Sequence, residues 1–495
     1  MEQHSKMRCF VYTYATVVEY KRNILLEGKE ETTEMKKLFE GIGQGFRNVF
    51  GLLRDAWEYG NVWTRLSFLV LGAGNLARKQ IVKGLVYLAM EIGFIFYMIM
   101  FGVTALSHFG DLGTTEQGMA YNEATGVYET AKGDNSMLLL LAAVVAIFII
   151  VFFVIMWYKN IKSAYRTQLN EEMGIKNNTI KEDFADYLDS KLHFTMLFIP
   201  VMSVLVFNIL PLSYMILIAF TNFDRTHQPP GNLFDWVGLR NFQVMLNFDG
   251  IIGQTFWPVL GWTFVWAIFA TFLNYIFGML LAIIINRKGT RFKGMWRTFF
   301  VLTIAIPQFV SLLLMHQMLD ESGPLNGTLI NLGLIDEPIL FLSSKTLARI
   351  TVIVINLWVG MPYTMLTTTG ILQNIPSDLY ESAKVDGANA VTIFWKITLP
   401  YMLFVTTPKL ITDFVGNINN FNVIFFLSSG GPKTTKYYQA GYTDLLVTWL
   451  YHLTVDSKDY CYASVIGIFV FIISAVLSLI TYRNTASYKD EEGFS

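Results

Sequence analysis

Residues 381–400 read ESAKVDGANAVTIFWKITLP and place charged side chains between two long apolar runs. The runs, at about 347–373 and 401–426, are each long enough to cross the roughly 30 Å hydrocarbon core of a membrane as a helix. A charged stretch between two such runs predicts a connection at the membrane surface. An ordinary loop would satisfy this placement equally well, so the pattern inside the stretch has to decide its role.

That pattern predicts two short helices joined by a turn. Pro376 opens the stretch, Ser377 and Asp378 are of the types that cap helix starts, and Gly387 is typical of a turn. A second helix is expected from about Ala390, and Pro400 is expected to end it. A helical hairpin of this kind offers a rigid, charged knob to another protein, which favours a docking role over a passive loop.

The rest of the chain predicts an all-α membrane protein with about eight transmembrane helices. Of 495 residues, 53% are hydrophobic and only 15% are charged, and the mean hydropathy is +0.43. This balance lies outside that of soluble domains. Apolar runs of spanning length lie at about 84–106, 137–157, 194–220, 257–285, 296–319, 347–373, 401–426 and 463–482.

One basic linker predicts the orientation. The sequence NRKGTRFKGMWR at 286–297 has five basic residues and no acidic one, which places it in the cytoplasm by the positive-inside rule. Counting outward, both termini are expected in the cytoplasm and the acidic stretch 107–136 outside. The hairpin at 376–400 then also faces the cytoplasm.

These runs predict five regions along the chain. An N-terminal cytoplasmic segment includes an amphipathic helix at 38–58, which would lie along the membrane or pack against the remainder of the protein. The regions are 1–83 (cytoplasmic segment), 84–157 (two accessory transmembrane helices), 158–193 (cytoplasmic connector), 194–482 (transmembrane core) and 483–495 (cytoplasmic tail).

The hairpin resembles the EAA signature of bacterial ABC importer permeases, in which Glu-Ala-Ala is followed at fixed spacing by Gly and by Ile-x-Leu-Pro. Ser382 departs from the signature at its second position. The resemblance implies a coupling helix that inserts into a separate ATPase subunit. The expected coupling residues are Glu381, Ser382, Ala383, Asp386, Gly387, Ile397, Leu399 and Pro400. Glu381 is the candidate for a charged contact, although an acid near a helix start also simply favours the helix dipole.

Three further stretches resemble the larger membrane subunit of maltose and maltodextrin permeases. They are NLWVGMPY at 356–363, NINNFNVIFFLSSGGP at 417–432 and AGYTDLLVTWLYHLT at 440–454. The likeness covers about 194–482, with the two added N-terminal spans also similar. The stretch 221–256 departs from the enteric subunit, whose large external insertion it lacks. The resemblance implies that Asn356, Gly360, Tyr363 and Asn417 line a transmembrane sugar site.

The residues of the seventh run support a polar site independently. Asp413, Asn417 and Asn420 would not be tolerated facing lipid. Such amide and carboxylate groups can bond sugar hydroxyls, while Tyr363, Trp358 and Phe421 offer faces for a pyranose ring. Gly360 is expected to leave room beside Asn356 and Tyr363.

Several polar residues also have simpler explanations. Asn419 and Asn422 would serve equally well by bonding neighbouring helices, and Asp413 stands four residues after Lys409, which would neutralise it. Glu91, an isolated acid in the first span, is expected to pair within the helical bundle rather than to act in transport.

Other chemistries find no support in the sequence. The glycines of 289–294 are followed by Met295 and Trp296, where a phosphate-binding loop has Lys and Ser or Thr. No catalytic residue, metal site or nucleic-acid patch is predicted. No cofactor is therefore expected on this chain, and the resemblance implies that ATP and Mg²⁺ bind the partner ATPase.

The sequence thus predicts a permease subunit in a bacterial inner or plasma membrane. The implied partners are a second homologous permease subunit, a homodimeric ATPase, an extracellular solute-binding protein, membrane lipid and a malto-oligosaccharide. A galacto-oligosaccharide or raffinose-type sugar is the alternative substrate. A secondary transporter that needs no ATPase is the alternative from another class.

Overall fold

The structure, a computed structural model, describes residues 43–45, 47–122, 126–287 and 289–483. Residues 47–58 are helical, so the C-terminal part of the predicted amphipathic helix is present and its beginning lies outside the described residues. Nearly all of the predicted tail also lies outside them. The predicted all-α class is confirmed, with a single two-stranded hairpin as the exception among these residues.

The described residues include seven helices long and apolar enough to cross a membrane, or eight spans if one bent pair counts as a crossing. The seven are α1 (Ile81–Ser107), α2 (Ser136–Glu172), α3 (Leu192–Ile218), α4 (Ile251–Asn286), α7 (Lys345–Asn374), α9 (Ala390–Ile418) and α10 (Tyr460–Arg483). The bent pair begins with α5 (Lys293–Ala305) and α6 (Gln308–Leu319). The short helix α8 (Ser377–Val385) lies between α7 and α9 and is not a span. Short helices are Val62–Leu66, Ala73–Ala77, Ile180–Leu188, Arg240–Leu246, Pro324–Asn331, Asn422–Ser428 and Leu446–Tyr451.

The predicted fifth span is not straight. The helix α5 and the helical stretch Gln308–Asn331, which begins with α6, meet at 90°, with the break at Ile306 and Pro307. Ile306 has extended backbone angles, as expected for a residue before proline. A continuous apolar run does not reveal such a break, because hydropathy is the same whether the helix is straight or bent.

Two other helices do not end where the corresponding apolar runs end. The seventh run was expected to reach residue 426, whereas α9 ends at Ile418 and Asn422–Ser428 forms a separate helix. Asparagines between them bond local backbone groups, which competes with helix continuation. The second run continues as α2 to Glu172, well into the stretch predicted as a connector.

The chain forms two compact units, one within Met1–Ser107 and Ala142–Leu210, the other within His108–Leu141 and Pro211–Ser495. In the first unit, a polar network holds the segment before α1 against α2. The Asn160 side chain donates to Ser67 O at 2.9 Å and accepts from Gly72 N at 2.8 Å. Glu91 accepts from Leu71 N at 2.8 Å, so its predicted pairing within the bundle is confirmed.

The second unit is organised around α4, which has buried residues on one side from Gly253 to Ile285. Hydrophobic clusters follow one another along this helix, around Phe256, then Trp266, then Tyr275. Such clusters fix the positions of the neighbouring helices, because buried aromatic rings lose a large contact area if those helices shift.

Small side chains bring α4 and α7 close together. A Cβ on Gly278 would lie 2.5 Å from Thr364 Cβ, and one on Gly360 would lie 2.2 Å from Asn274 Nδ2. The second contact lies four residues further along both helices, from Asn274 to Gly278 on α4 and from Gly360 to Thr364 on α7. The two helices therefore run in the same direction along this seam. Close backbone approach through small residues is a common basis of helix packing in membranes.

A β-hairpin also belongs to the second unit. Strand β1 (Gly118–Asn122) pairs antiparallel with β2 (Val127–Ala131), with Gly118 opposite Ala131. The backbone leading into the hairpin is held by Asp134, whose carboxylate accepts from Thr114 N and Thr115 N at 2.9 and 3.0 Å. These bonds hold the pKa of Asp134 below its usual range.

Candidate functional site: a transmembrane cavity and a coupling hairpin

A cavity of about 610 Å³ lies between α4, the break from α5 to α6, α7 and α9. This volume is within the range of small-ligand sites. All six residues predicted to bind substrate line it: Asn356, Gly360, Tyr363, Asp413, Asn417 and Asn420. The structure therefore brings together two sequence segments, from α7 and α9, that the sequence marked separately.

The α9 wall is held in place from α4. Asn417 donates from Nδ2 to Thr271 Oγ1 at 3.0 Å, and its carbonyl accepts from Trp266 Nε1 at 3.1 Å. Asn420 Nδ2 contacts Asn417 Oδ1 at 3.4 Å. These bonds orient the amide groups before any ligand arrives, which lowers the entropic cost of binding.

The α7 wall combines an aromatic face with buried polar groups. Trp358 and Tyr363 both line the cavity and are 43% and 55% exposed, whereas Asn356 is only 4% exposed. Gly360 does leave room, as predicted, but that room is filled from α4 by Asn274. The sequence predicted this room beside Asn356 and Tyr363 on α7, because a single sequence does not show that α4 packs against Gly360.

One ion pair lies on the cavity wall. Lys409 Nζ contacts Asp413 Oδ2 across one turn of α9, and both residues line the cavity. The pairing considered from their spacing is therefore present. Its charges cancel locally, so the cavity presents mainly neutral amides, hydroxyls and rings.

Several lining residues were not identified from the sequence. Thr271 and Asn274 project from α4, Gln308 and Ser311 from α6, and Thr412 from α9. The available signal was a polar residue within an apolar run, but such residues are common where helices bond each other. Only the packing of these helices around the cavity shows which of them reach it.

Three residues discussed from the sequence do not line this cavity. Phe421 stacks on Phe425 with ring centroids 4.6 Å apart, and its expected role as a sugar platform stays a prediction. Asn419 bonds Ser474 on α10 at 3.3 Å, and Asn422 bonds Gln308 at 3.2 Å. Both asparagines join neighbouring helices, which was their simpler explanation.

The coupling hairpin has the predicted turn. After α8, Gly387 adopts a φ of +81°, a conformation that other residues rarely take. Asn389 then caps the next helix by accepting from Thr392 N at 2.8 Å. Glu381 and Asp386 are exposed, and Ala383 is half-buried.

Two details of the hairpin differ from expectation. Ser377 is the first residue of α8 rather than its cap, and the residue at the cap position is Pro376. Pro400 does not end the second helix, since α9 continues through it to Ile418. A π turn at Phe394–Thr398 precedes this proline, and the altered hydrogen bonding of such a turn accommodates the missing N–H.

The apolar end of the hairpin motif is attached to the membrane core. Leu399 packs partly against a cluster that includes Tyr275 and Met402, and Ile397 is half-buried. By contrast, Val385 at the end of α8 is 87% exposed. The hairpin is thus packed against the membrane core at Leu399 and exposed at the end of α8.

Comparison with known proteins identifies the family. The model described as "Binding-protein-dependent transport system inner membrane component" matches residues 274–487. The galactooligosaccharides transport system permease protein GanP of Bacillus subtilis (strain 168) is 33% identical over 86% of this chain and 97% of its own length. The maltodextrin transport system permease protein MdxF of the same organism is 32% identical over 86% of this chain and 95% of its own. The chain therefore belongs to the family of binding-protein-dependent transport permeases.

The family predicted from the EAA-like hairpin is thereby confirmed. The permease is a membrane component of a binding-protein-dependent transport system. Among solved structures, a bacterial ABC transporter involved in the import of the acidic polysaccharide alginate is 23% identical to the permease. The match covers 61% of this chain and 96% of that one, with a TM-score of 0.48.

Proposed function

We propose that this permease forms half of the translocation path of an ATP-driven importer of malto-oligosaccharides. The observation that carries the proposal is the 610 Å³ cavity lined by all six predicted substrate residues. Similarity to a maltodextrin permease over most of both chains supports the substrate class.

The chemistry of the cavity favours a neutral sugar. Its amides and hydroxyls can donate to and accept from sugar hydroxyls, and the rings of Trp358 and Tyr363 can cover the apolar side of a pyranose. Lys409 and Asp413 neutralise each other, which leaves no net charge to recruit an acidic saccharide. A uronate would need an additional unpaired cation.

The coupling hairpin supports the rest of the assembly. Glu381, Val385 and Asp386 are exposed, which suits insertion into a cleft of a separate ATPase. In this proposal two ATPase copies bind ATP and Mg²⁺, one on this subunit and one on a second, homologous permease subunit. In the same proposal, this chain itself binds neither nucleotide nor metal.

Transport would follow alternating access. The hairpin and both termini lie in the cytoplasm, and an extracellular solute-binding protein delivers sugar to the outward-open cavity. Because α9 starts at the hairpin and also forms a cavity wall, displacement of the hairpin by the ATPase would move that wall directly. The cavity would then open inward.

A galacto-oligosaccharide is the second candidate substrate. GanP, named for galactooligosaccharides, matches this chain over as much of its length as the maltodextrin permease does. Both sugars are neutral and bear similar hydroxyl groups, so a cavity without net charge suits either one.

The test is ATP hydrolysis by the complete complex in lipid, with its binding protein, against maltotriose, longer maltodextrins, galactobiose and raffinose. We expect stimulation by malto-oligosaccharides and little by the others. Stimulation by galactobiose alone would replace the substrate and keep the mechanism. Sugar uptake without ATP consumption would contradict the importer assignment.

A further inference from the structure

The segment before α1, residues 60–80, buries polar side chains and exposes apolar ones. The buried polar residues are Thr64, Ser67, Asn75, Arg78 and Gln80. By contrast, Val62, Trp63 and Leu69 are 76%, 52% and 78% exposed. A segment surrounded by water shows the opposite arrangement, and an exposed apolar face marks contact with a membrane or with another protein.

The central turn of this segment, residues 67–72, lies beside the start of a membrane span. Gly72 packs so closely on α1 that a Cβ there would overlap Gly84 O, and Leu71 N donates to Glu91 at 2.8 Å. Gly84 is the first residue of the apolar run at 84–106, and Glu91 is about 10 Å further along the helix. The turn therefore lies beside the first part of that run and not outside it.

The contacts with α2 place the turn at the same depth. Trp157 Nε1 donates to Phe68 O at 3.0 Å, and Trp157 is the last residue of the apolar run at 137–157. The Asn160 side chain, less than one helical turn beyond, bonds Ser67 O and Gly72 N. Both neighbouring spans thus hold the turn where their apolar runs meet the polar part of the chain.

The backbone N–H groups of the turn are all bonded within the protein. Every backbone N–H from 67 to 74 has an acceptor. Three of these acceptors are side chains, those of Glu91, Asn160 and Ser67. Non-helical backbone enters a bilayer only when its polar groups are bonded internally, because acyl chains offer no partner. The turn meets this requirement for its N–H groups.

We propose that residues 67–72 form a re-entrant turn, with Leu69 and Val70 inserted among the acyl chains of the leaflet where α1 begins. On the proposed orientation this is the cytoplasmic leaflet. Glu91 and Asn160 are the positioning residues, since each bonds the backbone of the turn. The sequence alone assigns residues 60–80 to a cytoplasmic segment, because so short an apolar stretch is not recognised as a span.

Lipid fits this surface better than a protein partner does. The exposed face continues from the turn onto α1, where Ile81 and Leu85 are 56% and 51% exposed, and α1 is long and apolar enough to cross the membrane. Arg65 and Lys79 are exposed on either side of the turn in sequence, which suits contact with phosphate headgroups. Trp63 has the amphipathic ring that is typical of membrane interfaces.

The test measures the surroundings of residue 69 in the complete complex with its ATPase, in proteoliposomes. Leu69→Cys is made in a chain with Cys9→Ser and Cys461→Ala, which removes both natural cysteines, and is labelled with a fluorophore. We expect quenching by phospholipids that carry a nitroxide on the acyl chain, and little quenching by aqueous iodide. Ile95→Cys on α1 is the lipid control and Met173→Cys, just after α2, is the aqueous control, since these residues are 49% and 62% exposed.

Three outcomes decide between lipid, water and protein around Leu69. Quenching by the lipid nitroxide to the extent seen at Ile95 supports the re-entrant turn. Quenching by iodide to the extent seen at Met173 would place the turn in water and overturn the proposal. Protection from both quenchers would mean that a protein surface, either the ATPase or another part of this chain, covers Leu69, which would equally overturn it.

A second test asks whether Glu91 positions the turn. Glu91→Gln keeps an acceptor for Leu71 N, whereas Glu91→Leu leaves that N–H unpaired in an apolar environment, which carries a free-energy cost. With the label at position 69, the Gln variant should keep the original quenching pattern, and the Leu variant should become several times more accessible to iodide. Identical patterns in the two variants would contradict the role of Glu91. None of these measurements involves sugar or ATP hydrolysis, so their outcome is independent of the proposed function.

Discussion

The transmembrane cavity and the coupling hairpin share α9 but satisfy their polar groups in opposite ways. In the cavity, Asn417 is held by Thr271 and Trp266 from another helix. In the hairpin, Glu381 and Asp386 are exposed, and the described residues supply no ion pair to either. One region bonds its polar groups internally, whereas the other leaves them exposed.

This difference indicates how each region should respond to mutation. Cavity residues are held by neighbours, so a single substitution there should change sugar affinity while the helices keep their packing. The hairpin is a short, exposed element whose geometry depends on its own turn and cap. A substitution there should affect assembly with the ATPase and leave sugar selectivity unchanged.

The largest effect is expected from Gly387→Val. The glycine has a φ of +81°, and its Cβ position has no atom within 4 Å, so the penalty comes from backbone strain and not from a clash. A β-branched residue in this conformation costs on the order of 1–3 kcal/mol, which would change the direction of α8. Co-purification of the ATPase with the permease should be lost, and sugar uptake with it.

Gly387→Asn is the control, because asparagine tolerates the left-handed conformation. It should retain ATPase association close to the wild-type level. If the Val variant assembles as well as the Asn variant, the turn does not set the docking geometry.

The next effect is expected from Asn417→Ala in the cavity. This change removes the bond to Thr271 and a group available to sugar, at a cost of about 1–3 kcal/mol for each unsatisfied partner. Uptake at low sugar concentration should fall about tenfold, while ATPase co-purification stays normal. Loss of assembly in this variant would erase the contrast between the two regions.

A smaller effect is expected from the ion pair on α9. Lys409→Met leaves Asp413 without its partner, and both side chains are more than a third exposed, so solvent screens the loss to about 0.5–1 kcal/mol. We expect the half-saturating sugar concentration to rise about two- to fivefold, in line with that energy.

The double variant Lys409→Met with Asp413→Asn removes both charges and should recover most of this loss. Recovery would assign the pair to local neutralisation. A double variant that is worse than either single variant would instead assign both groups to sugar contacts.

The sequence predicts the hairpin well for a physical reason. Gly387 and the spacing of the motif are local features, and a turn that requires positive φ can be recognised from one residue. The position of Pro400 misled the prediction, since a π turn allows α9 to continue through it. Local rules therefore predicted the turn and failed at the helix that follows.

The cavity is less predictable because it forms between helices. Asn417 and Asn420 were found since several amides cluster in one run, whereas Asn274 is a single amide in an apolar helix. It lines the cavity and packs against Gly360, which is 86 residues away in sequence. The break at Pro307 was likewise missed, although the residues on both sides of it line the cavity.

The smallest effect is expected from Asn389→Ala, which removes the cap of α9 at the hairpin. The bond from Thr392 N to Asn389 Oδ1 is 2.8 Å long, and such caps contribute about 1 kcal/mol to a helix end. Because α9 is held along its length by packing in the membrane core, the loss should fray only its first turn. ATP consumed per sugar imported should rise less than twofold, and Asn389→Asp should restore the wild-type ratio. A loss as large as that of Gly387→Val would mean that the first turn of α9, and not the turn before it, transmits movement from the ATPase to the cavity wall.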